Sequence, residues 1–234
     1  KNPQVVFADA DLDAAADAIV FGICFNAGQC CVSGSRLIVQ RGVERALTDK
    51  ICALLDKVRI GDPLEPGTQV GSITEARHLD RVLGYIAQGH EEGARLVYGG
   101  QRIASPTGLY LQPTVFADVS AHMVIAREEI FGPVLTITAF DDFDQAMALA
   151  NDTPFGLAAS IWSRDLETSL QAMRRIKAGR VWVNTTIAGG PELPSGGFKQ
   201  SGIGRETGRY GVEEYTELKS VHVQMGPRTP WVSA

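Results

Sequence analysis

The 234-residue sequence is poor in cysteine, with four thiols at Cys24, Cys30, Cys31 and Cys52. Their spacing fits neither a disulfide framework nor a structural zinc site, so reduced thiols in a cytoplasmic compartment are expected. Positive charge is also in deficit. Lys and Arg number 22 against 27 Asp and Glu, for a net charge of -5. That balance argues against a nucleic acid or an anionic membrane surface as partner. Long apolar runs are missing except for Ala18 to Ser35, which is uncharged and nearly long enough to span a bilayer. Asn26, Gln29, two serines and three glycines interrupt it and no basic flank precedes it, so a buried helix running into a loop is the better account. His78, His90, His122 and His222 are scattered and suggest no site, and no internal repeat or low-complexity tract appears. No signal peptide is visible, and the sequence starts at Lys1-Asn2-Pro3 without an initiator Met.

What is present is the composition of a soluble α/β protein, with 44% apolar residues, 21% charged residues and 25 glycines. Asp9 to Asp13 offers N-cap candidates for a helix running to about Ala27. Apolar spacing predicts further helices over Val43–Val58 and Thr74–Gly89, with turns at Gly61-Asp62-Pro63 and Pro66-Gly67. Short strands are expected at Arg36–Gln40 and Leu96–Tyr98, with extended chain around Pro113. From Val134 onward strands and helices alternate: Val134–Phe140, Phe143–Asn151, Ala158–Trp162, Leu166–Ile176 and Val181–Asn184. This alternation predicts a doubly wound, largely parallel sheet, whose ligands bind at the C-terminal strand edges. Thr185 to Gln200 reads as a Gly/Pro loop, Glu206–Tyr215 as a short helix, and Ser220–Met225 as a strand with one apolar face.

The stretch that organises the chain is Phe25-Asn-Ala-Gly-Gln-Cys-Cys-Val-Ser-Gly-Ser-Arg36, which sets two adjacent thiols on a helix-to-strand connection rich in small residues. Small residues admit close approach of another molecule, and a thiolate there can attack an electrophilic carbon. Read alone, any one cysteine is more often a small core hydrophobe than a nucleophile. Glu128-Glu-Ile-Phe-Gly-Pro133 joins a short helical run to the strand at Val134, and by composition is an acidic turn. Ser201-Gly-Ile-Gly-Arg-Glu-Thr-Gly208 imitates a dinucleotide fingerprint but follows a loop rather than a strand, so it is not read as one.

Together these motifs resemble the NAD(P)-dependent aldehyde dehydrogenases, and the resemblance spans nearly the whole chain. It implies that Cys31 is the nucleophile and that Cys30 stands at a variable position. It further implies that Glu129 binds the nicotinamide ribose hydroxyls, that Phe131 packs beside the nicotinamide, and that Glu206 relays protons from a general base. The backbone carbonyls of Lys199 and Gly202 match those that bind a monovalent cation, K+, in some members. Asn184 matches a residue near the family's thiol, although a loop-fixing role suits its position better.

The family's general-base glutamate precedes a Lys-x-Pro such as Lys1-Asn2-Pro3, so the chain is expected to be the C-terminal half of a longer polypeptide, without the dinucleotide-binding domain. The expected division is a thiol-bearing domain over 1–200, a segment crossing back toward the cofactor domain over 201–218, and an oligomerisation strand and tail over 219–234. The implied partners are an aldehyde, NAD or NADP, and further copies of the chain as a dimer or tetramer. Loop Thr185–Ser195 lacks the aromatics of many members' substrate tunnels, and its Pro191-Glu-Leu-Pro-Ser-Gly-Gly197 pattern is nearer the betaine- and aminoaldehyde-oxidising branch. Two rivals stand beside this reading: an acylating relative that passes the thioester to CoA or phosphate, and a non-catalytic assembly module.

Overall fold

The computed structural model describes residues 1–106 and 108–232. Strand β1 (Pro3–Val6) leads into α1 (Leu12–Cys24), and a kinked 3-10 turn over Phe25–Gly28 precedes β2 (Arg36–Gln40). Helices α2 (Glu44–Leu55) and α3 (Ala76–Glu91) follow. Next come β3 (Arg95–Tyr98), β4 (Arg102–Ile103), β5 (Tyr110–Leu111), β6 (Thr114–Ala117), the single turn α4 (Val124–Arg127) and β7 (Val134–Phe140). The remainder runs α5 (Phe143–Asn151), β8 (Phe155–Gly156), β9 (Ala158–Trp162), α6 (Leu166–Arg175), β10 (Arg180–Val183), β11 (Phe198–Lys199) and α7 (Gly208–Glu213). Side-chain carboxylates start three of the helices: Asp11, Asp142 and Asp165 accept from the backbone N–H groups of Ala14, Gln145 and Thr168.

Seven strands form the main sheet in the order β10-β9-β1-β2-β7-β6-β3, and only the pairing of β3 with β6 is antiparallel. Alternate residues of the central strands serve opposite faces. Val5, Ile38 and Ile161 pack with α5 and α6, whereas Val6, Leu37, Val39 and Trp162 pack with α1, α2 and α3. Helices therefore cover both faces, as a doubly wound sheet requires. Each fully buried aliphatic side chain in these layers contributes about 1.5–3 kcal/mol.

Four expectations need correction. Helix α1 stops at Cys24 instead of about Ala27, because Asn26 (φ 51°) and Ala27 (φ 54°) enter the left-handed region. The last strand of the sheet loses Asn184, also left-handed at φ 52°. The final helix begins at Gly208, after Thr207 at φ 61°. Ser220–Met225 forms no strand, and Val221, Val223 and Met225 are 72%, 66% and 91% exposed. A strand exists only when paired, and among the described residues this segment pairs with none. The last two residues of segment 219–234 lie outside the described residues.

Candidate active site

The thiol loop, residues 29–35, leaves the left-handed turn and enters β2 at the amino ends of the parallel strands β1 and β7, not at the carboxyl strand edges where the sequence pattern places ligands. Side chains of β1 and the residue before it hold it in place. Asn2 Nδ2 donates to the carbonyls of Cys31 and Ser33, both at 2.8 Å, and Asn2 Oδ1 accepts from the backbone of Ala158 at 3.0 Å. Gln4 Nε2 donates to the carbonyl of Gly34 at 2.8 Å and Ser160 Oγ donates to Gln4 Oε1 at 3.2 Å. Ser33 Oγ donates to the carbonyl of Gly22 at 2.8 Å. Both Asn2 and Gln4 are buried, so these bonds replace water that cannot reach the loop. No sequence signal marked Asn2 or Gln4; an Asn before Pro and a lone Gln in a short apolar run look like turn and surface residues.

Gly28 brings the second motif against the first. At φ 70° it lies so close to the 128–133 loop that a Cβ would sit 2.2 Å from the carbonyl carbon of Gly132. As a result Lys1, Cys30, Cys31, Glu129, Phe131 and Gly132 line one small depression. Cys31 also opens onto a larger cavity of about 640 Å³, shared with Leu157, Ser195, Glu206, Thr207 and Tyr215. Two backbone hydrogen bonds, each 2.7 Å, tie Glu206 to Ser195 on the wall of this cavity. Thus Cys31 stands where the two depressions meet, with Glu129 and Phe131 on one side and Glu206 on the other. The remaining proposed residues lie apart. Lys199 is fixed by its ammonium, which donates to the carbonyls of Asn151 and Thr153 at 3.0 and 2.9 Å. The Asn184 side chain bonds to the backbone of Ser163 through both ends of its amide, and its backbone N–H donates to the carbonyl of Ile161. That is the loop-fixing role.

The four thiols differ. Burial pushes Cys24 up to about 12 and makes it inert near neutrality. Cys31 is exposed to solvent, yet partial burial of its sulfur, the neighbouring Cys30 and the Glu129 carboxylate raise it above an ordinary thiol. The backbone N–H groups of Cys31 and Val32 oppose this by bonding to the sulfur. The buried Lys1 ammonium, whose Nζ has no hydrogen-bond partner, is pushed down to about 7 by burial and by Arg36, with Glu129 pulling the other way. Among the described residues no group of His, Cys, Asp and Glu could hold a metal ion.

The model of the aldehyde dehydrogenase family matches residues 1–221. A betaine aldehyde dehydrogenase of Cereibacter sphaeroides is 45% identical over 227 residues, which is 97% of this chain and 47% of that protein. The chain thus spans about half the length of the curated relatives it matches. The crystal structure of an NAD-dependent aldehyde dehydrogenase from Sinorhizobium meliloti superposes with a TM-score of 0.98 at 55% identity, covering 100% of this chain and 46% of that one. A point mutant of betaine aldehyde dehydrogenase from Staphylococcus aureus, solved with NAD+, gives a TM-score of 0.95 at 34% identity over 100% of this chain and 48% of that one. By sequence and by fold alike, the chain belongs to the aldehyde dehydrogenase family.

Proposed function

We propose that the chain forms the thiol-bearing part of an enzyme that oxidises an aldehyde to a carboxylic acid with NAD+ or NADP+. The observation that carries this is the position of Cys31 between the depression lined by Glu129 and Phe131 and the cavity lined by Glu206. In this reading Cys31 Sγ, once deprotonated, adds to the aldehyde carbon from the cavity side and forms a thiohemiacetal. A nicotinamide held beside Glu129 and Phe131 would supply the hydride acceptor, and loss of hydride from this carbon would leave a thioester on Cys31. The exposed Glu129 carboxylate fits two ribose hydroxyls, and the Phe131 ring supplies a flat apolar wall beside them. A water molecule then releases the acid and frees the thiol, and Glu206 passes its proton toward solvent. We assign the base that activates thiol and water to the portion of the relatives that this chain does not span.

The cavity around Cys31 has one aromatic, Tyr215, among its lining residues. A quaternary ammonium is held by several aromatic faces, so this lining favours an uncharged aldehyde. The carbonyls of Lys199 and Gly202 are kept as a K+ site, and no step passes through it. We assign residues 201–218 to the contact with the cofactor-binding portion and Ser220–Met225 to pairing between copies in a cytoplasmic homo-oligomer. No helix among the described residues is long and apolar enough to cross a membrane. The deciding experiment compares Cys31→Ala and Cys30→Ala in the polypeptide as the cell makes it, following NAD(P)H with aldehydes of graded size. Cys31→Ala is expected to abolish oxidation while Cys30→Ala keeps most of it; the reverse result would sink the proposal.

A further inference from the structure

One face of α3 is buried in the core through Leu79, Val82, Ile86 and Gly89. The stripe beside it, His78, Arg81 and Tyr85, points at the Glu128–Pro133 loop at helical spacing. His78 Nε2 lies 2.7 Å from the carbonyl oxygen of Phe131. A carbonyl only accepts, so Nε2 carries the proton and donates. The His78 ring also meets the Phe131 ring edge-on, with centroids 6.2 Å apart. Arg81 donates to the carbonyl of Glu129 at 3.3 Å, and the Tyr85 hydroxyl donates to the Glu128 carboxylate at 2.6 Å. Val82 presses on Gly132 so closely that a Cβ there would lie 2.8 Å from its methyls. Just before the helix, the backbone N–H of Thr74 donates to Gln29 Oε1 at 3.0 Å, beside the cysteine pair. Helix α3 and the turn before it therefore hold both motifs.

Phe131 itself has φ 59°, a left-handed conformation that a bulky residue adopts only when its surroundings impose it. The His78 bond is made to the carbonyl of that same residue. We propose that α3 braces the cofactor side of the site, and that His78 is a positioning residue that keeps Phe131 and Glu129 in register with the thiol loop. This rests on Glu129 and Phe131 being the residues that face the cofactor. Without the imidazole N–H, the peptide after Phe131 is free to turn toward the ordinary negative-φ region. The ring then swings, and the Glu129 carboxylate, two residues upstream, moves with it. Cofactor binding suffers first. The backbone of the thiol loop, held by Asn2 and Gln4, stays in place.

The test uses the purified enzyme with His78→Ala, His78→Gln and Glu129→Gln side by side. His78→Ala is expected to raise the KM for NAD+ about fivefold to tenfold, the worth of one lost hydrogen bond, with kcat changed less. Alkylation of Cys31 without cofactor should not slow, because the loop keeps its anchors and a displaced Glu129 carboxylate raises the thiol less. His78→Gln, whose amide N–H reaches the same carbonyl, should restore the KM. An unchanged KM in His78→Ala, with a raised KM in Glu129→Gln, overturns the brace and leaves the cofactor reading intact. If neither variant moves the KM, the cofactor reading fails with it. Equal losses in His78→Ala and His78→Gln, matched by equal falls in melting temperature, would reduce His78 to a helix stabiliser and also overturn the proposal.

Discussion

Gly28→Ala asks whether the approach of the two motifs is as tight as the backbone indicates. The new Cβ would lie 2.2, 2.3 and 2.5 Å from the carbonyl carbon and oxygen of Gly132 and the nitrogen of Pro133, whereas ordinary contact begins at 3.4 Å. All three are backbone atoms, so no rotamer change relieves the overlap. The loop carrying Glu129 and Phe131 has to move, against Val82 on its other side. Overpacking of this kind costs about 1–3 kcal/mol. Gly28 also sits at φ 70°, where a residue with a Cβ loses a further ~1–2 kcal/mol. The sum, about 3 kcal/mol, should lower the melting temperature by ~6–12 °C in a chain of this size, as read by circular dichroism. Gly84→Ala is the control. It lies inside α3 with nothing within 4 Å of its would-be Cβ, and it should stabilise by about 0.5–1 kcal/mol. If Gly28→Ala melts with the wild type, or the two variants behave alike, the two motifs are not packed backbone to backbone.

Cys31 is expected to be alkylated first of the four thiols and Cys24 last, as mapped by peptide after brief iodoacetamide treatment. Because Cys31 is raised above an ordinary thiol, its labelling rate should still climb with pH where a free thiol has levelled off. A plateau at or below the free-thiol value would contradict the assigned surroundings. Asn2→Leu removes the partner of two carbonyls and one N–H in a buried setting, and each orphaned group costs ~1–3 kcal/mol. Urea unfolding should show a loss of about 3 kcal/mol, with slower Cys31 alkylation; a neutral variant would show that the thiol loop needs no such anchor. The isolated chain should self-associate through its exposed C-terminal segment, and Val221→Lys with Val223→Lys should weaken this in light scattering. A monodisperse wild-type monomer would remove the segment from the account.

Much of the fold could be read from the sequence wherever an element carries its own signal. β2, β7, α5 and β9 fall at the expected bounds, because each is a run of apolar or period-matched residues closed by polar or turn-forming ones. β1 was missed, although it lies between β2 and β9 near the middle of the sheet. Its four residues are buried on both faces, so they show no alternation, and Pro3 and Gln4 disguise half of them. The site divides in the same way. Cys31, Glu129 and Phe131 stand in local motifs and could be picked out one at a time. Their juxtaposition could not, because it depends on the small volume of Gly28 and Gly132 and on hydrogen bonds from Asn2, His78 and Thr74 that cross 29 to 53 residues of chain.

The C-terminal segment marks the opposite limit. Val221, Val223 and Met225 alternate as a strand should, and in this chain they are exposed and unpaired. Period-2 alternation states which side chains share a face. It does not contain the edge whose N–H and C=O groups would complete the ladder, and a strand exists only with that edge. The same reasoning applies to the thiol. Cys31 is placed and opened to a cavity by residues of this chain, while partial burial, Cys30 and Glu129 hold its thiol above an ordinary one.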